Sequence, residues 1–406
     1  MLNENGDFVG FDAVIGNPPY GVKATKEEKK YYKNAFQTIL GKYESYGFFI
    51  EKGIKILKTK GMFSYIVPHT WLTVKEASQT RNLIFDTSKI LEIDKLPENV
   101  FEDATVDTTI FFLLKEKIKK AYEAKCLIFD LKSKIQSLET DFKLSQIYNV
   151  NMWKEKDSIN LRIGKKENKV LEVALVDTIP FSDVFDFSVG VQAYDSYAGQ
   201  PKEIIKNRAY HSDQKLNETY LPELNGKDIE RYLINPKKES WISYGKWLAH
   251  PRSEKYFFNP RVLIREITGK GRYKLYCSLI DEVSINYKSI LNLIIPDNNI
   301  DKLFVALSLL NSSFMSWYFY LNSNKQDSNS FPRVSILDMK KFPIKIKAFE
   351  PKFIHSIKEK VQEIQSAKKL DPKADTSKLD FEIDQLVYEL YNLSKEEIAI
   401  IEESTK

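Results

Sequence analysis

Phe11-Asp-Ala-Val-Ile-Gly-Asn-Pro-Pro-Tyr-Gly21 decides how the first third of this chain is read. Its first half is a short apolar run closing on Gly16, the pattern of a buried strand that feeds a loop. The loop, Asn17-Pro-Pro-Tyr20, is stiff, because each proline fixes φ at about −65° and has no N–H to donate. It is rich in carbonyl acceptors, to which Asn17 adds a side-chain amide oxygen and Tyr20 a flat aromatic face. In an open α/β sheet, ligands bind beyond the carboxyl ends of the strands, where this loop must lie. Acceptors beside an aromatic face suit a planar group that bears an exocyclic amine. The plainer alternative is a Pro-Pro turn with a packed tyrosine.

The surrounding sequence argues for the sheet. Tyr46, Phe49, Ile50, Ile54 and Leu57 recur at helical spacing between Tyr43 and Lys58. Basic residues and Gly61 then stop that helix. Met62–Pro68 reads as the next strand, Lys75–Phe85 as a helix, and Ile90–Leu96 and Asp107–Leu114 as two more strands. Strands alternating with helices predict a doubly wound α/β sheet. The expected organisation is an α/β portion over residues 1–120, a connecting region over 121–175, a mostly β domain over 176–350 and helices over 351–406. One long helix is expected from Ile300 to Asn322. In the tail, Ile357, Val361 and Ile364, then Ile383 and Val387, are spaced as core-packing or subunit-contact faces.

Length and composition narrow the classes. At 406 residues, two or three domains are expected. With 43% hydrophobic and 29% charged residues, the chain is not globally disordered. No apolar run reaches the ~18 residues that span a bilayer, so no membrane partner is expected. Cys126 and Cys277 alone cannot build a disulfide scaffold or a cysteine-rich zinc site, and fit a reducing cytoplasm. The four histidines are too scattered for a metal cage. A net charge of +5 is compatible with a polyanionic partner.

The segment 11–21 resembles the catalytic motif of the TaqI-like, gamma-class adenine-N6 DNA methyltransferases. Further resemblances follow in that family's order. Segments 42–52 and 61–72 are similar to the helix and strand after the catalytic loop. Val100-Phe101 to Ile110 is similar to the segment that supplies a second base-packing aromatic. Leu221–Tyr232, Asn259–Ile267 and Phe342–Ile344 resemble the C-terminal specificity domain of that group, and Gly190–Tyr194 resembles the segment that opens it. The resemblance implies a partial Rossmann-like methyltransferase sheet, a mostly β target-recognition domain and a C-terminal helical tail. It also implies double-stranded DNA as partner and S-adenosylmethionine as methyl donor. By the same resemblance, Asn17 and Pro18, braced by Pro19, would accept the protons of a flipped adenine amine, while Tyr20 and Phe101 pack against the base. An ordinary core aromatic is the alternative for Phe101.

One departure matters. The family's Gly-rich donor loop and its acidic partner precede the catalytic loop by many residues, whereas only sixteen residues precede Asn17 here. The chain is therefore expected to be the C-terminal part of a longer enzyme, with an unpaired strand edge near Phe11–Ile15. It is also expected to need an N-terminal methylase or nuclease region or subunit, and to be inactive alone. No nuclease signature is evident. Two other readings stay open: a DNA-specificity subunit without its own catalysis, and a protein-glutamine methyltransferase, since the loop suits any planar amide. Cytosine-N4 is a chemically possible target as well.

Residues 201–290 hold 17 Lys and Arg against 11 Asp and Glu, interleaved with aromatics. Lys246, Arg252, Arg261, Arg265, Lys270, Arg272, Tyr273 and Arg333 are the candidate DNA-binding residues. Lys270–Tyr273 is the preferred groove-entering loop, with Asn322–Arg333 as a second. For any one of these cations, a surface charge without a contact is the alternative.

Overall fold

The computed structural model describes all residues except 1, 3, 21–23, 39–44, 99, 102–105, 131, 298, 324–331 and 405–406. It divides into two units, Met1–Lys166 and Glu167–Lys406.

In the first unit, the strands are β1 (Phe11–Gly16), β2 (Leu57–Pro68), β3 (Lys89–Lys95), β4 (Thr108–Leu114), β5 (Glu123–Ile128) and β6 (Leu144–Asn149). The helices are α1 (Lys26–Ala35), α2 (Ser45–Ile56), α3 (Ser78–Thr87) and α4 (Val150–Lys156). One six-stranded sheet runs in the order β1-β2-β4-β3-β5-β6. Strand β1 is parallel to β2, with Gly16 opposite Tyr65, and β3 is parallel to β5. Strand β4 is antiparallel to both its neighbours, and β6 to β5. The sheet is thus mixed rather than purely doubly wound. The reason is the connection: no helix lies between β3 and β4 among the described residues, and without a crossover a strand returns antiparallel.

The stretch expected to connect two domains instead extends this sheet through β5 and β6. Its pattern hid it, since Glu123 and Lys125 interrupt the buried Ala124 and Cys126. Tyr46, Ile50 and Ile54 of α2, Phe63 and Val67 of β2, Ile84 of α3 and Phe111 of β4 share one core. Gly53 makes the α2–β2 contact possible, because a Cβ there would lie 2.5 Å from the Phe63 ring. Strand β1 is the outermost strand, hydrogen-bonded to β2 on one side, and Ile15 is 84% exposed.

The second unit is strand-rich. Its inner sheet orders Cys277–Ile280, Arg261–Arg265, Ile290–Ile294 and Asp186–Val189, all antiparallel. All five residues of Ile290–Ile294 are buried. A second sheet orders Ile285–Asn286, Tyr220–Leu224, Trp241–Ser243 and His211–Ser212. The helix expected from Ile300 to Asn322 is two helices, Ile300–Asn311 and Ser313–Asn322. Ser312 breaks it, with extended ψ of 157° and a hydroxyl that accepts from the Met315 N–H at 3.2 Å. The helices Pro351–Leu370, Ser377–Leu390 and Lys395–Ser404 follow, and Ile357, Val361, Ile364, Ile383 and Val387 are buried. No helix among the described residues is long and apolar enough to cross a membrane.

Candidate functional site

The carboxyl end of β1 passes directly into Asn17-Pro-Pro-Tyr20. Asn17 and Pro19 are exposed, Pro18 is buried and Tyr20 half-buried, so the corner opens to solvent. The Tyr20 hydroxyl donates to Asn17 Oδ1 at 2.6 Å. The Ser45 hydroxyl, at the start of α2, donates to the Pro19 carbonyl and ties the corner to the sheet's helical layer. Burial pushes the Tyr20 phenol up, against the lowering by its Asn17 bond, so it remains a neutral donor. Gly16 admits the neighbouring Tyr65 ring, which would stand 3.1 Å from a Cβ there. The Tyr20 and Phe101 rings lie 6.4 Å apart between centroids, tilted by 58°. That tilt is an aromatic contact, whereas a planar group held between two faces needs them closer to parallel.

Three further side chains stand at the same end of the sheet. His69 follows β2, and its backbone N–H donates to the Asp107 carbonyl at 2.9 Å. Its Nδ1 is 3.2 Å from that carbonyl and 3.8 Å from the Asp107 carboxylate. Burial holds the imidazole below its ordinary pKa, which leaves it neutral near pH 7, with Nδ1–H the donor. Lys95 ends β3 and is lowered to about 8 by burial and by Arg162, with Asp107 opposing. No sequence motif marks this group. The rule that ligands gather at strand ends would have flagged positions 69 and 95.

In the second unit the candidate cations separate into two sets. Arg261 is fully buried: its guanidinium donates to the carbonyls of Phe257 at 3.0 Å and Ser284 at 2.7 Å. Burial lowers it to about 10, still protonated at neutral pH. Arg272 donates to Asp384 at 3.0 Å and Glu402 at 2.8 Å, and the Tyr273 hydroxyl donates to Asp384 at 2.9 Å. The Arg231 guanidinium stacks 3.6 Å over the Tyr273 ring while pairing with Asp380 at 2.7 Å. Arg261 is thus closed off inside the fold, a correction to the DNA-facing set, while Arg272 and Tyr273 are half-buried and engaged by carboxylates of their own unit. Arg265 is half-buried over the Tyr276 ring at 5.3 Å. Lys246, Arg252, Lys270 and Arg333 are exposed, Arg333 lying 3.5 Å from Glu266. Most of the second candidate loop, 324–331, lies outside the described residues.

Comparison with known proteins follows the same division. Residues 2–101 match the Eco57I restriction-modification methylase family, and residues 221–344 match the TaqI-like C-terminal specificity domain. Two separate stretches of the chain are thus similar to a restriction-modification methylase domain and to a specificity domain. It is 25% identical over 338 residues to RM.MjaORFECS2P of Methanocaldococcus jannaschii, covering 83% of this chain and 27% of that protein. It is 23% identical over 286 residues to the type II methyltransferase M.TthHB8I of Thermus thermophilus, covering 66% of this chain and 58% of that protein. The chain thus spans well under two thirds of the length of either relative. In fold it resembles the type IIL restriction-modification enzyme MmeI solved in complex with DNA, with a TM-score of 0.58 and 12% identity over 97% of this chain and 56% of that one.

A methylase of this family implies S-adenosylmethionine as donor. Three glycines of the first unit, Gly10, Gly53 and Gly61, are closed to such a ligand. A Cβ at Gly10 would lie 2.5 Å from the Lys58 nitrogen, at Gly53 2.5 Å from Phe63, and at Gly61 2.9 Å from the Lys58 carbonyl. These glycines admit the protein's own backbone and rings, not a ligand.

Proposed function

We propose that this chain is the adenine-holding and DNA-reading part of a site-specific DNA adenine-N6 methyltransferase of a restriction-modification or phage-defence system. The observation that carries the reading is the solvent-open corner Asn17–Tyr20, with acceptors and an aromatic face together at a strand's carboxyl end. A base inside a duplex cannot reach such a corner, so the adenine must be extruded first. Its N6 lone pair is delocalised into the ring and is a poor nucleophile. Asn17 Oδ1 and the Pro18 carbonyl accept the two N6 protons and favour the tetrahedral nitrogen that attacks. Asn17 Oδ1 can take one of them while Tyr20 rotates away or shares the acceptor. The Tyr20 ring packs on the base, and Phe101, beside it, turns to cover an edge. S-adenosylmethionine, when bound, supplies a methyl already activated by the sulfonium charge.

In the specificity domain, Lys246, Arg252, Arg265, Lys270 and Arg333 are the cations that support a DNA-facing role. Phosphate contacts from such residues position the duplex, and base contacts specify it. A free-standing glutamine methylase has no use for such a domain. The closure of Gly10, Gly53 and Gly61 by the protein's own atoms favours one second reading, a DNA-specificity subunit without its own turnover. Tritiated methyl transfer to unmethylated DNA, by the chain alone and mixed with a donor-binding methylase segment, separates the two. Label in N6-methyladenine in either mixture supports the enzyme reading. Label confined to N4-methylcytosine, or none in either mixture despite tight DNA binding, overturns it.

A further inference from the structure

The second unit, upstream of the residues that match the specificity domain, carries an aromatic residue that the fold does not use. Tyr197 is 99% exposed, at the centre of the short turn Ser196–Ala198. An exposed aromatic on a mobile loop would call for no comment, since single apolar residues are common on surfaces. This turn is built differently. Asp195 Oδ1 accepts from the Tyr197 N–H at 2.9 Å, and its Oδ2 lies 3.2 Å from Gln192 Nε2 and 3.3 Å from His250 Nε2. Gln200 Oε1 accepts from the Asp195 N–H at 2.9 Å, while its Nε2 donates to the carbonyls of Ala193 at 3.0 Å and Trp247 at 3.2 Å. Just behind the turn, Tyr194 stacks on Tyr210, rings 5.5 Å apart and 4° from parallel. The turn is thus fixed from several sides, and nothing in it holds the Tyr197 ring.

The same ties bring in a second exposed aromatic. Gln200 joins the turn to the loop of Trp247, which is 43% exposed. Trp247 lies over Gly245, where a Cβ would be 2.3 Å from the indole, and its Nε1 donates to the Ser243 carbonyl at 3.0 Å. Cations flank both loops. Lys246 is exposed beside Trp247. Arg252 is exposed in a left-handed conformation (φ 62°), its carbonyl held by the Tyr244 hydroxyl at 3.0 Å. Lys288 reaches Gln192 Oε1 at 3.2 Å.

We infer that Tyr197 is a base-stacking residue of the second unit, seated against the face of an opened base step in duplex DNA, with Trp247 as a second platform and Lys246, Arg252 and Lys288 on flanking phosphates. The cations favour a polyanion over an apolar protein surface as the occupant. Because the turn is ordered before binding, a stacking contact there loses little to further ordering. Stacking on an aromatic is independent of salt, whereas phosphate contacts are not. The two contributions therefore separate experimentally.

The inference rests on DNA being the ligand of the specificity domain, and its test begins there. The full chain is used to enrich binders from a random-sequence duplex pool, and affinity for the enriched duplex is then measured against salt. Tyr197→Ala and Tyr197→Leu should each weaken binding about tenfold or more with an unchanged salt slope. Tyr197→Phe should bind as the wild type does. Arg252→Ala and Lys246→Ala should each make the slope shallower by about one. If the wild-type chain enriches no duplex, the DNA-reader assignment fails and this inference with it. If the wild type binds and Tyr197→Ala binds equally well, or Tyr197→Phe loses as much as Tyr197→Ala, only the stacking role is overturned. Thermal unfolding of each Tyr197 variant should match the wild type, because the ring is outside the packing.

Discussion

Asn17 is the residue on which the proposed chemistry turns, and its surroundings allow a clean test. It is exposed and, among the described residues, accepts a local bond from Tyr20, so removing its amide should not disturb the core. Asn17→Ala should lower methyl transfer by on the order of a hundredfold or more while leaving duplex affinity nearly intact. Filter binding and label transfer on the same preparation check this, and a parallel loss of both would assign Asn17 to folding. A second residue predicts a pH effect. Asp94 is 1% exposed in β3, its Oδ1 lacks a partner, and burial followed by the Glu92 carboxylate raises it to about 7. The native state then holds this proton more tightly than the unfolded chain, whose Asp titrates near 3.8. The associated stability is complete below about pH 4 and is lost as pH rises through about 7. Unfolding free energy should therefore fall between about pH 4 and 7, by on the order of a few kcal/mol, and Asp94→Asn should flatten that fall. Urea titrations at several pH values measure it.

At the scale of elements, two contacts decide whether the parts stay assembled. Helix α2 approaches β2 only because position 53 has no side chain. Gly53→Ala should cost about 1–3 kcal/mol through overpacking against Phe63, read as a lower urea midpoint at unchanged slope. In the second unit, Asp384 is wholly buried and accepts from Arg272, Tyr273 and Ser313. It fixes the helix Ser377–Leu390 to the strand-rich part of that unit. Asp384→Ala leaves Arg272 without its buried partner and should cost about 3 kcal/mol. Below the melting temperature, DNA affinity should be little changed, which a groove-entering role for Arg272 would not allow.

At the scale of the molecule, Gly10, Gly53 and Gly61 are each filled against by the protein's own backbone or rings, which leaves no room for a donor at those positions. The chain alone should bind S-adenosylmethionine weakly or not at all. Titration calorimetry checks this, and micromolar binding would show that the donor's seat lies within these residues after all. The exposed edge of the sheet at β1 sits beside the proposed corner. An unpaired strand edge of this kind is open to pairing with another strand.

The strand leading into the corner and its stop at Gly16 were legible in the sequence, because a terminal glycine, proline stiffness and an apolar run act within a few neighbouring residues. So were the buried faces of the tail helices, since periodicity is local as well. The burial expected of the strand Phe11–Gly16 was not borne out, since as an edge strand none of its residues is buried. The direction of β4 and the membership of β5 and β6 in the sheet were not legible. Strand pairing is set by connections and by partners elsewhere in the chain. Arg272 makes the point most sharply: its position in a Lys-Gly-Arg-Tyr loop suggests a DNA contact, yet its carboxylate partners lie 112 and 130 residues further on. Sequence determined which groups could do chemistry. Tertiary structure decided which charges reach solvent, because a cation's availability depends on which distant carboxylate or carbonyl folding brings beside it.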